Sequence, residues 1–307
     1  MAMVTITDLQ TFVAELLYPV WCANSSMEKS NFLSILHNGS FFRLQDCVLA
    51  AEVGSPRIIG FCALVGEEQD FAKGIGKIWG PAILLNAGDD RLDVARQLFE
   101  AVAEIARKRS LKVLEAFVDS GNTEAIDKYR KLGFARAGTF LTFGTNRIDT
   151  SRLKYRLFDD NITIRTFSGS REDEEAFAYV YNQCLAAQEV PPLNVQDVKR
   201  LENAPGFDKD FVILAFLNAS PVGICNAVLE GDSVRIANVG VLEQFRKRRT
   251  GAIILNNMLR KLADILTQRG VTRVYGICDE QNSDSSRLMQ RFGLKKESCT
   301  HRYTFAL

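Results

Sequence analysis

The sequence predicts an α/β (α+β mixed) protein of two tandem domains, each a mixed, mostly antiparallel sheet with flanking helices. Three observations lead there. At 307 residues the chain exceeds what one hydrophobic core usually organises. Asp119, Asn122 and Gly133 recur in register as Asp279, Asn282 and Gly293, each pair 160 residues apart. Around these matches, short apolar segments of strand type alternate with amphipathic stretches of helical period.

In the N-terminal half, Cys47 to Val53, Ile58 to Val65 and Lys77 to Leu85 read as strands, with Gly54-Ser55-Pro56 as a hairpin turn between the first two. A helix follows, carrying Leu92, Ala95, Leu98, Phe99, Val102 and Ile105 on one face. Leu111 to Asp119 is the next strand, and Asn122 to Gly133 the next helix. The C-terminal half opens with a strand at Ile162 to Phe167 and a helix at Arg171 to Ala187 that has acids in its first turn. Pro191-Pro192 stops the chain before a short helix near Val195 to Glu202. Phe211 to Leu217, Val222 to Leu229 and Val234 to Leu242 then repeat the three-strand run, with a turn at Asn218 to Pro221. The long helix carries Ile254, Met258, Leu259, Leu262, Ile265 and Leu266 and leads to a strand at Val271 to Asp279. Each half reads β-β-β-α-β-α-β, antiparallel at the hairpins and parallel across the strand-helix-strand crossover. The polar stretch Thr145 to Asn161, with Asp159-Asp160, sets the expected domains at residues 1–147 and 160–307.

Composition removes several function classes. With 38 Lys plus Arg against 37 Asp plus Glu, no global basic field attracts nucleic acid or an anionic membrane. No apolar run approaches the roughly 20 residues that span a bilayer, and Met1 to Phe12 lacks a signal-peptide layout. The seven cysteines are odd in number and include no Cys-x-x-Cys, which fits reduced thiols and a cytoplasmic location. His37 and His301 alone cannot supply a histidine-rich metal site or an ordinary Ser-His-Asp triad, so no metal is expected.

The most informative junction is Gln244-Phe245-Arg246-Lys247-Arg248-Arg249-Thr250-Gly251-Ala252, where the third strand of the second half runs into its long helix. A loop that opens a helix aims unpaired N–H groups and the positive end of the dipole outward. Gly251 is expected to let a ligand approach the backbone, and Arg246 to Arg249 to bind phosphate oxygens. An isolated basic run is usually a solvated turn, but the equivalent junction of the first half, Leu85 to Arg91, instead carries Asp89 and Asp90. A polyphosphate ligand is therefore assigned to the second half.

These residues resemble the GNAT superfamily of N-acetyltransferases, whose acyl-coenzyme A loop follows Arg/Gln-x-x-Gly-x-Gly/Ala at this junction. Here Arg249 stands at the first glycine of that pattern and Gly251 at the second. A second family segment, Asn-x-x-Ala-x-x-x-Tyr-x-x-x-Gly-Phe, is met in full by Asn122, Ala125, Tyr129, Gly133 and Phe134. The C-terminal copy keeps Asn282 and Gly293, with Ser285, Met289 and Leu294 at the other places. The resemblance covers nearly the whole chain as two consecutive GNAT-like domains, the first degenerate, an arrangement similar to that of mycothiol synthase.

The resemblance implies acetyl-coenzyme A as cosubstrate, bound by Val239, Val241, Arg246, Lys247, Arg248, Arg249, Thr250, Gly251, Ala252, Asn282 and Ser285. It implies direct acetyl transfer to the amine of a small molecule. The family's usual thiolate acid is the tyrosine of the second segment, which is Tyr129 in the first half and Met289 in the second. Methionine donates no proton, so Ser285, Ser286, Tyr275, Tyr303 or water must replace it, with water or a nearby serine preferred. Glu243, Glu230 and Asp232 are the candidate bases, and Cys278 is set aside because its strand position argues for burial. A non-catalytic acyl-coenzyme A binding module is the alternative. A transferase using transfer RNA is the least favoured, given the balanced charge. Oligomeric state stays open, and two domains in one chain can replace the second subunit of a dimer.

Overall fold

A computed structural model describes residues 17–20, 42–51, 58–83, 91–148, 153, 161–185 and 192–307. The Gly54-Ser55-Pro56 turn, Leu85 to Asp90 with its two carboxylates, His37, Cys22, Pro191 and most of the expected domain junction lie outside the described residues. The elements of the first half are β1 (Phe42–Ala51), β2 (Ile58–Val65), α1 (Glu68–Ala72), β3 (Ile75–Ile83), α2 (Arg91–Lys108), β4 (Val113–Asp119), α3 (Thr123–Lys131) and β5 (Ala135–Thr145). The second half has β6 (Ile162–Thr166), α4 (Arg171–Leu185), α5 (Val195–Glu202), β7 (Phe207–Leu217), β8 (Ser220–Glu230) and β9 (Ser233–Val241). It continues with α6 (Arg249–Gln268), β10 (Arg273–Asp279), α7 (Ser283–Arg291) and β11 (Lys295–Ala306).

Residues 1–139 and 300–307 form one compact unit, and residues 140–299 the other. β5 and β11 each contribute to both, so residues 140–147 and 300–307 belong to the opposite unit from the one that chain order assigns. In the first unit the strand order is β1-β2-β3-β4, followed by the last part of β11 and the first part of β5. In the second it runs from the first part of β11 and the last part of β5 through β10-β9-β8-β7 to β6. β3 with β4 and β9 with β10 pair in parallel, each across a helical crossover, while the hairpin pairs are antiparallel. The mixed, mostly antiparallel sheets expected from the element order are present in both units.

The helices form where apolar residues repeat at helical spacing. α6 buries Ile254, Met258, Leu259, Leu262 and Leu266 against the second unit's sheet, each worth about 1.5–3 kcal/mol relative to exposure. α2 does the same for the first unit through Ala95, Leu98, Phe99 and Val102. The repeated Asn and Gly are the two ends of one helix. Asn122 and Asn282 cap α3 and α7, accepting from the backbone N–H of Ala125 at 2.9 Å and of Ser285 at 3.0 Å. Gly133 and Gly293 both hold φ at 91°, and the following N–H of Phe134 or Leu294 returns to the carbonyl of Tyr129 or Met289 at 3.0 Å. That is a Schellman ending, which favours glycine because a Cβ is strained at this φ. The six described cysteines carry free thiols. No helix among the described residues is long and apolar enough to cross a membrane.

Candidate active site

In the second unit the site begins where a ladder stops. β9 and β10 pair only from Ser233–Arg273 to Ile236–Gly276. Beyond that point β9 stays on β8 as far as Val241, while β10 stays on β5 as far as Asp279, and the two strands part. A register shift leaves Ala237 as an extra residue in β9 just past the last parallel pair, and such a bulge sharpens the local twist. The N–H of Leu242 donates to Val222 on β8, so the period-2 alternation of a strand turns the backbone groups of Val239 and Val241 toward the gap. The carbonyl of Val241 confirms this direction by accepting from Arg246 Nε at 3.1 Å.

The strand leads through a 3-10 turn at Glu243–Phe245 into α6. Lys247 takes a left-handed φ of 59°, and Arg248 is the N-cap residue. No side chain caps this helix and its first turn holds no acid. The ladder opens with the bond from Ala252 N–H to the Arg248 carbonyl, so the N–H groups of Arg249, Thr250 and Gly251 precede it. A 20-residue helix thus presents its positive end with neither a capping side chain nor an acid in its own first turn.

Gly251 also answers to a requirement of the loop itself. A Cβ there would run into the Phe245 carbonyl oxygen, so the loop's own backbone leaves no room for a side chain. Arg246 is also committed internally. Its guanidinium donates to the carbonyls of Val241 at 3.1 Å and Cys184 at 3.0 Å, joining the end of β9 to the C-terminal turn of α4, where a cation is electrostatically favoured.

These elements enclose a cavity of about 570 Å³. It brings together Val239 and Val241 from β9, Arg246 to Arg249, Gly251 and Ala252 from the loop, and Asn282 and Ser285 from α7. Thr250 is half-buried in the first helical turn and is not part of the wall. Cations dominate the lining. Arg287 and Arg291 of α7 join the four of the loop, against the single carboxylate of Asp284. Sequence reasoning missed Cys184, Arg287 and Arg291, although the last two share a helical face with Asp284 and Leu288 that spacing alone reveals. The Cys184 thiol packs against Gly240 of β9; burial pushes its pKa up and Arg246 opposes the rise.

Three candidate catalytic groups are placed elsewhere. Glu243 is exposed in the 3-10 turn and does not line the cavity. Tyr303 lies in the first unit, 1% exposed, with its ring stacked on Tyr129 at 6.4 Å, because the end of β11 pairs with β4. Tyr275 hydrogen-bonds Glu230, and burial together with that bond pushes its pKa up to about 12. Of the hydroxyl candidates, Ser285 alone lies in the wall; Ser286 instead sits 3.4 Å from the buried Cys278 sulfur.

The equivalent gap of the first unit is bridged by side chains. β3 pairs with β4 only from Ile75 to Lys77, and the chain then passes through Gly80-Pro81. Tyr129 donates to the Gly80 carbonyl at 2.5 Å and Lys128 to the Pro81 carbonyl at 2.7 Å. Pro81 has no N–H to offer a ligand.

Two stretches of the chain, residues 15–134 and 172–294, match the sequence profile of the Acetyltransferase (GNAT) family. The chain belongs to that family. The GNAT matches fall one in each half and together cover most of the sequence, so the internal repeat is a repeat of the family fold. No curated protein matches the chain in sequence. A GCN5-related N-acetyltransferase from Sphaerobacter thermophilus is similar over 100% of this chain and 95% of its own, at a TM-score of 0.74 and 17% identity. A tandem GNAT protein from the clavulanic acid biosynthesis pathway is similar over 99% and 97%, with a TM-score of 0.65 and 14% identity. A glucosamine N-acetyltransferase region of a fungal multi-domain β-N-acetylglucosaminidase aligns with 97% of this chain and 37% of that one, at 0.69 and 14%. At such identities the likeness is one of fold, and it is the tandem GNAT fold.

Proposed function

We propose that the protein is an acyl-coenzyme A-dependent N-acyltransferase, with acetyl-coenzyme A as donor, a small-molecule amine as acceptor, and the donor site in the second unit. One observation carries this reading: the uncapped, cation-lined start of α6 opens into the same cavity as the unpaired edge of β9. Lys247, Arg248, Arg249 and the first N–H groups of α6 would hold a diphosphate. The inward backbone of Val239 and Val241 would pair with the amide groups of a pantetheine arm. An acyl-coenzyme A supplies the acyl group as a thioester, activated toward an amine, with a thiol as leaving group.

The chain's own residues then have three tasks. An N–H of β9 stabilises negative charge on the carbonyl oxygen, at no reorganisation cost because the strand is fixed by β8. The cavity aligns the reactants. Ser285, whose N–H is tied to Asn282, offers its hydroxyl as the proton source for the departing sulfur, with water as the other source. The amine enters neutral and releases its proton to solvent.

Acetyl-coenzyme A titration of wild type and of the double variant Arg248→Glu with Arg249→Glu tests the reading. Acids suit a helix start, so the fold is retained. Affinity should fall at least about tenfold, as expected when charge-assisted phosphate contacts become repulsive. Equal affinity would remove the assignment. The buried Met289 at the family's tyrosine position favours a second reading, a non-catalytic acyl-coenzyme A binding module. Tight binding with no thiol release across a broad panel of amines would select it.

A further inference from the structure

The wall contributed by α7 holds more positive charge than a diphosphate site needs. Asp284, Arg287, Leu288 and Arg291 fall at i, i+3, i+4 and i+7, and all four line the cavity. Leu288 gives this face an apolar centre, and the two arginines flank it one helical turn apart. Asp284 lies 4.0 Å from Arg287 with both side chains about three-quarters exposed, a pair too weak to hold the guanidinium against a stronger anion. The molecule contains its own control. The same face of α3 reads Glu124, Asp127, Lys128 and Lys131, so the place of Arg287 carries the opposite charge in the unit whose gap is bridged.

We propose that Arg287 and Arg291 form a second anion subsite, separate from the α6 loop, that reads a phosphate monoester on the donor's nucleotide. The inference rests on the acyl-coenzyme A reading and narrows it. The cleft selects a 3′-phosphorylated nucleotide thioester over one ending in a bare ribose. Two guanidinium forks on adjacent turns match the several oxygens of a dianionic monoester. The loop cations Lys247, Arg248 and Arg249 already serve the diphosphate, whose phosphates carry one charge each.

Calorimetric titration separates the two subsites. Acetyl-coenzyme A and its 3′-dephospho form are each titrated into wild type and into the double variant Arg287→Gln with Arg291→Gln; both positions are on an exposed helix face that tolerates glutamine. Wild type should prefer the 3′-phosphorylated donor by about tenfold to a hundredfold, the range for one or two hydrogen bonds to charged groups. The double variant should bind both ligands alike, with the affinity that wild type shows for the dephospho form. That retained affinity also shows that the variant is folded. A wild type that does not discriminate, or a variant that loses the same factor for both ligands, overturns the subsite and leaves the donor reading standing. Wild type that binds neither ligand overturns the donor reading itself.

Discussion

In the first unit the chain past the end of the β3–β4 ladder is held by two side chains of the next helix, Tyr129 on the Gly80 carbonyl and Lys128 on the Pro81 carbonyl. In the second unit the same two helix positions are Met289 and Leu288. Met289 turns inward, where its thioether packs on Gly276 at the end of the parallel ladder, and Leu288 lines the open cavity. Neither can donate a hydrogen bond to the strand opposite. The family's tyrosine position therefore has a meaning beyond proton donation. In the unit that keeps the tyrosine, its hydroxyl is spent on backbone and burial drives its pKa upward. In the unit that lost it, the edge of β9 is left free.

The strongest way to break this contrast is at Gly251, which acts on the second unit alone. Gly251→Ala places a methyl group against the Phe245 carbonyl and forces apart the loop and the first turn of α6. A loss of about 3 kcal/mol or more is expected in urea unfolding, together with loss of donor binding. Full stability in the alanine variant would show that the loop is loosely packed and that the glycine serves a ligand after all. A smaller effect separates the paired helix positions. Tyr129→Phe strands a buried carbonyl and should cost about 1–3 kcal/mol. Met289→Leu keeps volume and apolarity and should cost less than about 1.5 kcal/mol. Equal losses would mean that Tyr129 contributes packing and no clamp.

The fold was legible because the repeat is written in residues with local jobs. Asn122, Gly133 and their copies are helix caps whose requirement is set within a few residues, and sequence carries such requirements directly. The loop before α6 was legible for the same reason. What sequence did not carry are the tertiary commitments. Arg246 reads in sequence as a phosphate ligand, and nothing in the chain order reveals that Cys184 ends a helix beside it and takes part of its guanidinium. Tyr303 follows the second repeat in chain order, yet strand pairing sends it to β4. Gly251 matched a ligand pattern while answering to a carbonyl six residues earlier. The arginines of α7 stand in plain helical register but belong to no motif.

The subtlest test of the contrast uses pH. Burial lowers the pKa of Lys128 from the ordinary 10.5, with Glu124 and Cys62 opposing the shift. Lys128→Leu installs the residue that the second unit has at this place. Between the lowered folded pKa and 10.5 the unfolded wild-type chain binds more protons at this site than the folded one, so wild-type stability rises with pH relative to the leucine variant. Below the folded pKa both states are protonated and the difference is level, with the wild type at its least stable relative to the variant. Urea unfolding of both proteins from neutral pH upward measures the difference directly, and other titrating groups cancel in the subtraction. A difference that stays flat up to 10.5 would mean that the Lys128 ammonium keeps its water. The first unit's gap would then be bridged by Tyr129 alone.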